Sequence, residues 1–384
     1  MVIALATRAF SRKLGGMRAL IGLLGFLLLW GCRDAKPPPS DAEIVKQIED
    51  YADKLARDGR FSGTLAIARR DKPQLQRAWG LASRAWNAPN RADTRLNLGS
   101  MNKMFTAVAI GQLLERGKLS LDDKVGKFLP DFANADVRNK VTLRHLLTHS
   151  SGLGSFFNPE FESKKLQIRE VRDYLPIIAH DTLAFEPGAR AQYSNSGFIL
   201  LGAVVEAASG ENYFDYIRNH IYRPAGMQDT DCYDLATDPP NLATGYTRVA
   251  PDGKYDPSGP WWSNIFLHLV RGSPAGGGYS TAPDLLRFAT ALRNGVLLEP
   301  ATLADFTTGK VELAPGHRYG YGFADTTLHG HRIVGHSGGF AGIHSNLDIF
   351  WNDSWSVAVM SNIDGGASDL QDKARELIAT ERHR

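Results

Sequence analysis

Ser100-Met101-Asn102-Lys103, Tyr193-Ser194-Asn195 and His336-Ser337-Gly338-Gly339 follow one another in that order along 384 residues, and reading them together decides the fold. With 23 serines and 15 lysines, roughly one S-x-x-K arises by chance, and one is present. Each motif alone is therefore uninformative. The ordered set supplies a nucleophile, two proton carriers and a glycine-opened strand edge, which is what acyl transfer through a serine ester requires.

On a helix starting near Ser100, residues i and i+3 share a face, so Lys103 is expected over the serine hydroxyl. A serine hydroxyl needs a base to take its proton. Lys103 serves only if neutral, which requires burial or a neighbouring positive charge to lower its pKa from about 10.4. Tyr193 is the second candidate: beside a charged Lys103 its pKa is expected to fall, and the two should titrate as a unit. Asn195 carries an amide able to grip a substrate carbonyl and a lysine together. His336, Ser337 and Gly338 are expected just beyond a strand, where missing side chains let a substrate approach the backbone. The Gly339 amide would then pair with that of Ser100 to hold an oxyanion.

At these residues the chain resembles the serine β-lactamase and penicillin-binding-protein superfamily, specifically its class C-like esterase, D-peptidase and β-lactamase-related branch. His145-Leu146-Leu147-Thr148-His149-Ser150-Ser151-Gly152-Leu153, Phe185-Glu186-Pro187-Gly188, Gly276-Gly277-Gly278-Tyr279-Ser280-Thr281 and Ser361-Asn362 look like further landmarks of it. The resemblance implies Ser100 as nucleophile, Lys103 and Tyr193 as proton carriers, Asn195 as orienter and His336-Ser337-Gly338 beside the substrate, with no metal and no cofactor. Many members place lysine where His336 stands. An unperturbed histidine is only about a quarter charged at pH 7, so carboxylate recognition should weaken. Esters or amides lacking a carboxylate are accordingly the expected substrates. D-peptides or β-lactams are the alternative, as is a penicillin- or cell-wall-binding protein that never turns over.

Two other motif readings fit less well. Gly335-His336-Ser337-Gly338-Gly339 also matches the G-x-S-x-G nucleophile elbow, but that elbow needs a helix directly after it, and Phe340-Ala341-Gly342 leads into another strand signal. His145 and His149 stand four apart, like zinc ligands in H-E-x-x-H, but Leu146 occupies the glutamate position.

The surrounding pattern predicts an α+β fold, a β-lactamase/transpeptidase-like antiparallel sheet flanked by helices plus a mainly helical lobe. Ser40 and Glu43 form a capping box for a helix with Ile44, Ile48, Tyr51, Ala52 and Leu55 on one face. Strands are expected over 61–70 and 74–80, joined through Asp71-Lys72-Pro73, and again over 331–335, 342–350 and 354–361. A last helix is expected to open on a Ser368 and Gln371 capping box. The hydrolase domain is placed at 41–384, with its sheet lobe about 41–95 and 285–384 and its helical lobe about 96–284.

Residues 1–31 contain Arg8, Arg12, Lys13 and Arg18, no acidic residue, and the apolar run from Ala19 to Trp30, as a secretory signal does. Leu29-Trp30-Gly31-Cys32 resembles a lipoprotein cleavage box. Cys32 is therefore the expected lipid attachment point, 32–40 a proline-rich spacer, and the mature chain an exported, periplasmic or cell-surface protein held at the membrane. Without the signal, 40 basic side chains face 41 acidic ones, and no basic stripe argues for nucleic acid. The expected partners are small ester, amide or peptide substrates and the membrane. Cys232 is the one other cysteine, so a lipidated chain has no intramolecular disulfide.

Overall fold

A computed structural model describes residues 39–380. The expected first helix is α1 (Asp41–Arg57), and its capping box forms: Ser40 Oγ accepts from the Glu43 amide at 3.3 Å, and the Glu43 carboxylate accepts from the Ser40 amide at 2.7 Å. Ile44, Ile48, Ala52 and Leu55 are buried. Strands β1 (Gly63–Arg69) and β2 (Lys72–Trp79) follow as a hairpin. Its turn is Arg70-Asp71, at φ 49° and 60°, a left-handed pair that suits the twist of a two-residue hairpin. Pro73 therefore lies inside β2 at a register shift opposite Ala68, where a missing amide is tolerated because β2 is an edge strand.

The principal helices of the middle are α2 (Asn102–Glu115), α3 (Leu143–Leu147), α4 (Asn195–Ser209) and α5 (Ala282–Arg293). Every residue of α2 from Asn102 to Leu113 is buried, so it runs through the interior rather than along a surface. The chain then returns to the sheet with β3 (Val311–Ala314), β4 (His317–Tyr319), β5 (Ala324–Leu328), β6 (His331–Phe340), β7 (Ile343–Phe350) and β8 (Trp355–Ser361), and ends in α6 (Ser368–Ala379). The eight strands form one antiparallel sheet in the order β2-β1-β8-β7-β6-β5-β4-β3. The two ends of the chain meet at β1 and β8, from Gly63 opposite Ser361 to Arg69 opposite Trp355.

Both faces of the central strands are covered. Leu65 and Ile67 of β1 and Trp355, Val357 and Val359 of β8 point to one face, where α1 and α6 pack. Ala66, Ala68, Ala358 and Met360 point to the other, where α5 packs and the core continues into the helices. Each fully buried valine, leucine or isoleucine in these layers contributes about 1.5–3 kcal/mol relative to exposure. Three expectations need correction. β6 does not stop at Gly335 but runs to Phe340, so His336-Ser337-Gly338-Gly339 lies within the strand. Strands β3 to β5 were not expected. The last helix has no capping box: Ser368 is its first helical residue, Ala367 caps it with no side-chain bond, and Ser368 Oγ lies 3.3 Å from His344 Nδ1.

Candidate active site

Ser100 sits on a short 3-10 turn, Gly99–Met101, that runs directly into the N-terminus of α2. The turn is pressed against β6 on one side and the 276–278 glycine run on the other, so closely that side chains are excluded. A Cβ on Gly338 would fall 2.0 Å from Leu98 O and 2.8 Å from Ser100 N; one on Gly276 would fall 2.7 Å from Gly99 O. Gly99 itself has φ 52°, a conformation glycine adopts freely, and a Cβ there would lie 3.0 Å from Gly339 N. The Ser100 and Gly339 amides thus belong to backbones in direct contact, and both residues border the same cavity. With the positive end of α2 behind them, two such amides are suited to a carbonyl oxygen that gains charge.

Lys103 is fully buried one turn along. Its Nζ donates to Asn195 Oδ1 at 2.9 Å and to Ala275 O at 2.5 Å, and lies 4.8 Å from the centre of the Tyr193 ring. Burial pushes its pKa well below the ordinary lysine value. A neutral amine has two N–H groups and one lone pair; the two acceptors take the N–H groups and leave the lone pair to receive a proton. Asn195 is the first residue of α4, capped by Ser194 Oγ accepting from the Gly197 amide at 2.9 Å. Its Nδ2 donates to Ser155 Oγ at 3.1 Å, so its amide bridges Lys103 and the 150s loop.

Ser100 and Tyr193 line the same cavity. Tyr193 is 40% exposed, and burial pushes its phenol up, with the Ser100 hydroxyl drawing it partly back. The expectation of a depressed tyrosine pKa therefore fails: the lysine that was to depress it is itself held neutral by burial. The group poised to take the proton is the Lys103 amine, which lies over the Tyr193 ring.

His336 also departs from expectation. It is buried and absent from the cavity wall; its Nδ1 donates to Ser337 O at 2.5 Å and its Nε2 accepts from the Tyr319 hydroxyl at 3.0 Å. Because a carbonyl only accepts, these bonds fix the tautomer. Burial is the chief cause that pushes its pKa down to about 3, so it is neutral at pH 7 rather than a quarter charged. Ser337 is exposed on β6, which turns at once into β7; with no helix following, this is not a nucleophile elbow.

Sequence reading gave no part to four residues that build the site. Ala275 O and Ser155 Oγ hold Lys103 and Asn195 as described. Tyr319 holds His336. His149 clamps Tyr193 from both sides: its carbonyl accepts from the Gln192 amide at 2.8 Å, and its Nδ1 accepts from the Ser194 amide at 3.0 Å. The His149 ring lies 4.4 Å from that of Tyr193 and 4.8 Å from that of Tyr319, and its backbone has φ 57°. Burial, then Lys103, push its pKa well below the ordinary value, and its Nε2 has no hydrogen-bond partner. His145 is engaged elsewhere, its Nδ1 accepting from the Thr142 amide at 3.2 Å; among the described residues no group of three metal-ligating side chains converges. The signal available in the sequence was position alone, a histidine at the middle of the 145–153 landmark.

The cavity over Ser100 has a volume of about 270 Å³. Phe156, Phe157, Leu269, Phe340 and Ile343 form its apolar wall, and among the described residues lining it none is lysine, arginine, aspartate or glutamate. The one histidine on the wall, His268, is pushed toward its neutral form by burial.

Residues 46–381 match the Beta-lactamase family model. The chain is 30% identical over 335 residues to Penicillin-binding protein 4* of Bacillus subtilis, covering 83% of this chain and 71% of that protein. It is 31% identical over 317 residues to Esterase EstB of Burkholderia gladioli, covering 73% and 79%. The crystal structure of a penicillin binding protein from Bacillus halodurans superposes with a TM-score of 0.75 at 32% identity, over 85% of this chain and 99% of that one. The chain belongs to the β-lactamase and penicillin-binding-protein family and is a serine hydrolase of its class C-like branch.

Proposed function

We propose that the chain hydrolyses carboxylic esters or amides through an acyl-enzyme on Ser100. Ser100 Oγ attacks the carbonyl carbon while its proton passes to the Tyr193 oxygen and the phenol proton passes to Lys103. The amides of Ser100 and Gly339 hold the oxyanion; the leaving alcohol or amine departs with the proton returned by the same route, and water then repeats the cycle on the acyl-serine. The observation that carries the substrate class is the cavity wall, apolar and without a charged side chain. A β-lactam or peptide terminus brings a carboxylate, and desolvating that anion against Phe157, Leu269 and Phe340 without a cation is costly. His336 does not carry this preference, being neutral and off the wall. The match to an esterase supports the same choice. Export on residues 1–31 and lipid attachment at Cys32 belong to this proposal and rest on the leader pattern alone; they lie outside the described residues.

Hydrolysis of p-nitrophenyl esters, with mass spectrometry of quenched reactions, tests the activity. A transient acyl adduct on Ser100, turnover that Ser100→Ala lowers by at least about a thousandfold, and Ser337→Ala close to wild type are the expected results. Stable labelling by a fluorescent penicillin with no ester turnover would instead make the chain a binding protein.

A further inference from the structure

The apolar wall does not end at the cavity mouth. Phe157 and Phe340 are 41% and 42% exposed, and Leu166, Ile265 and Phe266, the last 78% exposed, stand on segments joined to theirs. Single exposed apolar side chains are ordinary, but five on interconnected segments beside one cavity are not. They are also held in place. Phe157 stacks on Phe340 with centroids 5.9 Å apart and meets Phe161 edge-on at 5.2 Å. Asn264 Nδ2 donates to Ala341 O at 2.9 Å, which ties the turn carrying Ile265 and Phe266 to the β6–β7 hairpin. Lys165 Nζ donates to Phe266 O at 2.8 Å and fastens the same turn beside Leu166. Backbone and polar atoms hold the turn, and the apolar side chains face outward.

We propose that this rim is an outer acyl subsite, and that the preferred substrates carry a linear hydrocarbon acyl chain of about eight carbons or more. The proposal rests on the ester or amide reading above. The cavity of about 270 Å³ takes the carbons nearest the ester, and the rest of a long chain must lie on the rim. A longer chain would leave Ser100 along the stacked pair of Phe157 and Phe340 and continue onto Ile265 and Phe266. Continuity with the cavity favours the substrate's own chain as occupant. An anionic lipid surface is disfavoured because Lys164 and Lys165 are already paired with Glu160 and Glu162.

The test compares kcat/KM for p-nitrophenyl acetate, hexanoate and decanoate, all below their aggregation limits, on wild type, Phe266→Ser, an Ile265→Ser/Phe266→Ser double variant and Trp86→Ser. Each newly buried methylene is worth up to about fourfold, so decanoate should exceed acetate by at least about tenfold. Both rim variants should lower that ratio by at least about fivefold, and Trp86→Ser, altered at an exposed residue outside the cavity wall, should leave it where it is. Acetate turnover with a ratio near one, or a ratio the rim variants leave unmoved, overturns the subsite while sparing the ester reading. Loss of every Ser100-dependent turnover overturns that reading itself. Binding of Ser100→Ala protein to phosphatidylcholine vesicles that Phe266→Ser abolishes, with a flat chain-length ratio, makes the rim a membrane contact and also overturns the subsite.

Discussion

His149 and His336 share a physical state and differ in what they hold. Both are buried near Lys103, and both are pushed toward the neutral form, so the lysine's lowered pKa comes from burial and not from a neighbouring cation. His149 is a positioning residue for Tyr193. Its Nδ1 satisfies the buried Ser194 amide, and its φ of 57° suits asparagine far better than alanine. We expect His149→Ala to lower kcat by at least about tenfold with a smaller change in KM, because the phenol is displaced while the cavity wall stays. His149→Asn tolerates the left-handed backbone and offers Oδ1 in place of Nδ1, so it should recover much of the loss; equal kcat in all three proteins would rule out the clamp. His336 makes a prediction about stability. Its folded pKa of about 3 lies below its unfolded value, so the unfolded chain binds more protons between pH 6.5 and 3. Its contribution is therefore complete above about pH 6.5 and is lost as pH falls toward 3, by on the order of 5 kcal/mol at full extent. Urea midpoints of wild type and His336→Gln, measured at pH 7 and pH 4, should show a smaller acid loss in the variant. Matching losses would mean that His336 does not titrate in this window.

At the scale of elements, the nucleophile turn, β6 and the glycine run at 276–278 function as a unit because their backbones touch. Gly338→Ala places a methyl 2.0 Å from Leu98 O, so the turn or the strand must shift, whereas a Cβ on Gly339 meets nothing within 4 Å. We expect Gly338→Ala to lose at least about a hundredfold in kcat/KM, since a displaced oxyanion donor costs roughly that much. Gly339→Ala should retain its fold, and thermal unfolding beside kinetics separates the two; a fully active Gly338→Ala would refute the close approach. The same contrast explains what was legible in the sequence. Helix α1 is readable because Ser40, Glu43 and an apolar face at helical spacing all act locally. Strand β8 is readable because Trp355, Val357 and Val359 alternate cleanly. Strands β3 to β5 are not, because they lie toward the outer edge with mixed exposure, which leaves them no apolar alternation to read. The end of β6 was hidden by its glycines, which weaken a strand signal although they are there for close approach. In the site, Ser100, Lys103, Tyr193 and Asn195 were legible as spaced motifs. Ala275 O was not, because a main-chain acceptor leaves no mark on residue identity, and the charge state of His336 was not, because burial is a property of the folded chain.

Across the whole molecule, the chain closes on itself: β1, from the first 70 residues, pairs with β8 from the last 30, and α1 packs beside α6 over the same face of the sheet. The catalytic turn at Ser100 hangs between these halves, with Leu98 donating to Gly278 O at 2.7 Å and Gly338 pressed against it from β6. Integrity of the sheet is thus a condition for the site. The leader contributes nothing to that closure if it serves only export and anchoring, because α1 has its own cap at Ser40 and its own buried face. A chain beginning at Pro39 should therefore fold with the melting temperature and kcat/KM of the full protein, and should be recovered in the soluble fraction. The full chain should partition with membranes, and Cys32→Ser should release it; one acyl chain anchors only marginally, so stable attachment requires more than one on that cysteine. A chain beginning at Thr64 removes α1 and leaves α6 as the one helix over Leu65, Ile67, Trp355, Val357 and Val359. At about 1.5–3 kcal/mol for each side chain fully exposed, the loss of α1 exceeds the margin of a typical domain, and the truncated chain should be insoluble. Solubility with retained ester turnover from the Thr64 chain would show that the helical lobe holds the site without the closed sheet. Membrane retention of Cys32→Ser would place the anchor elsewhere in the leader.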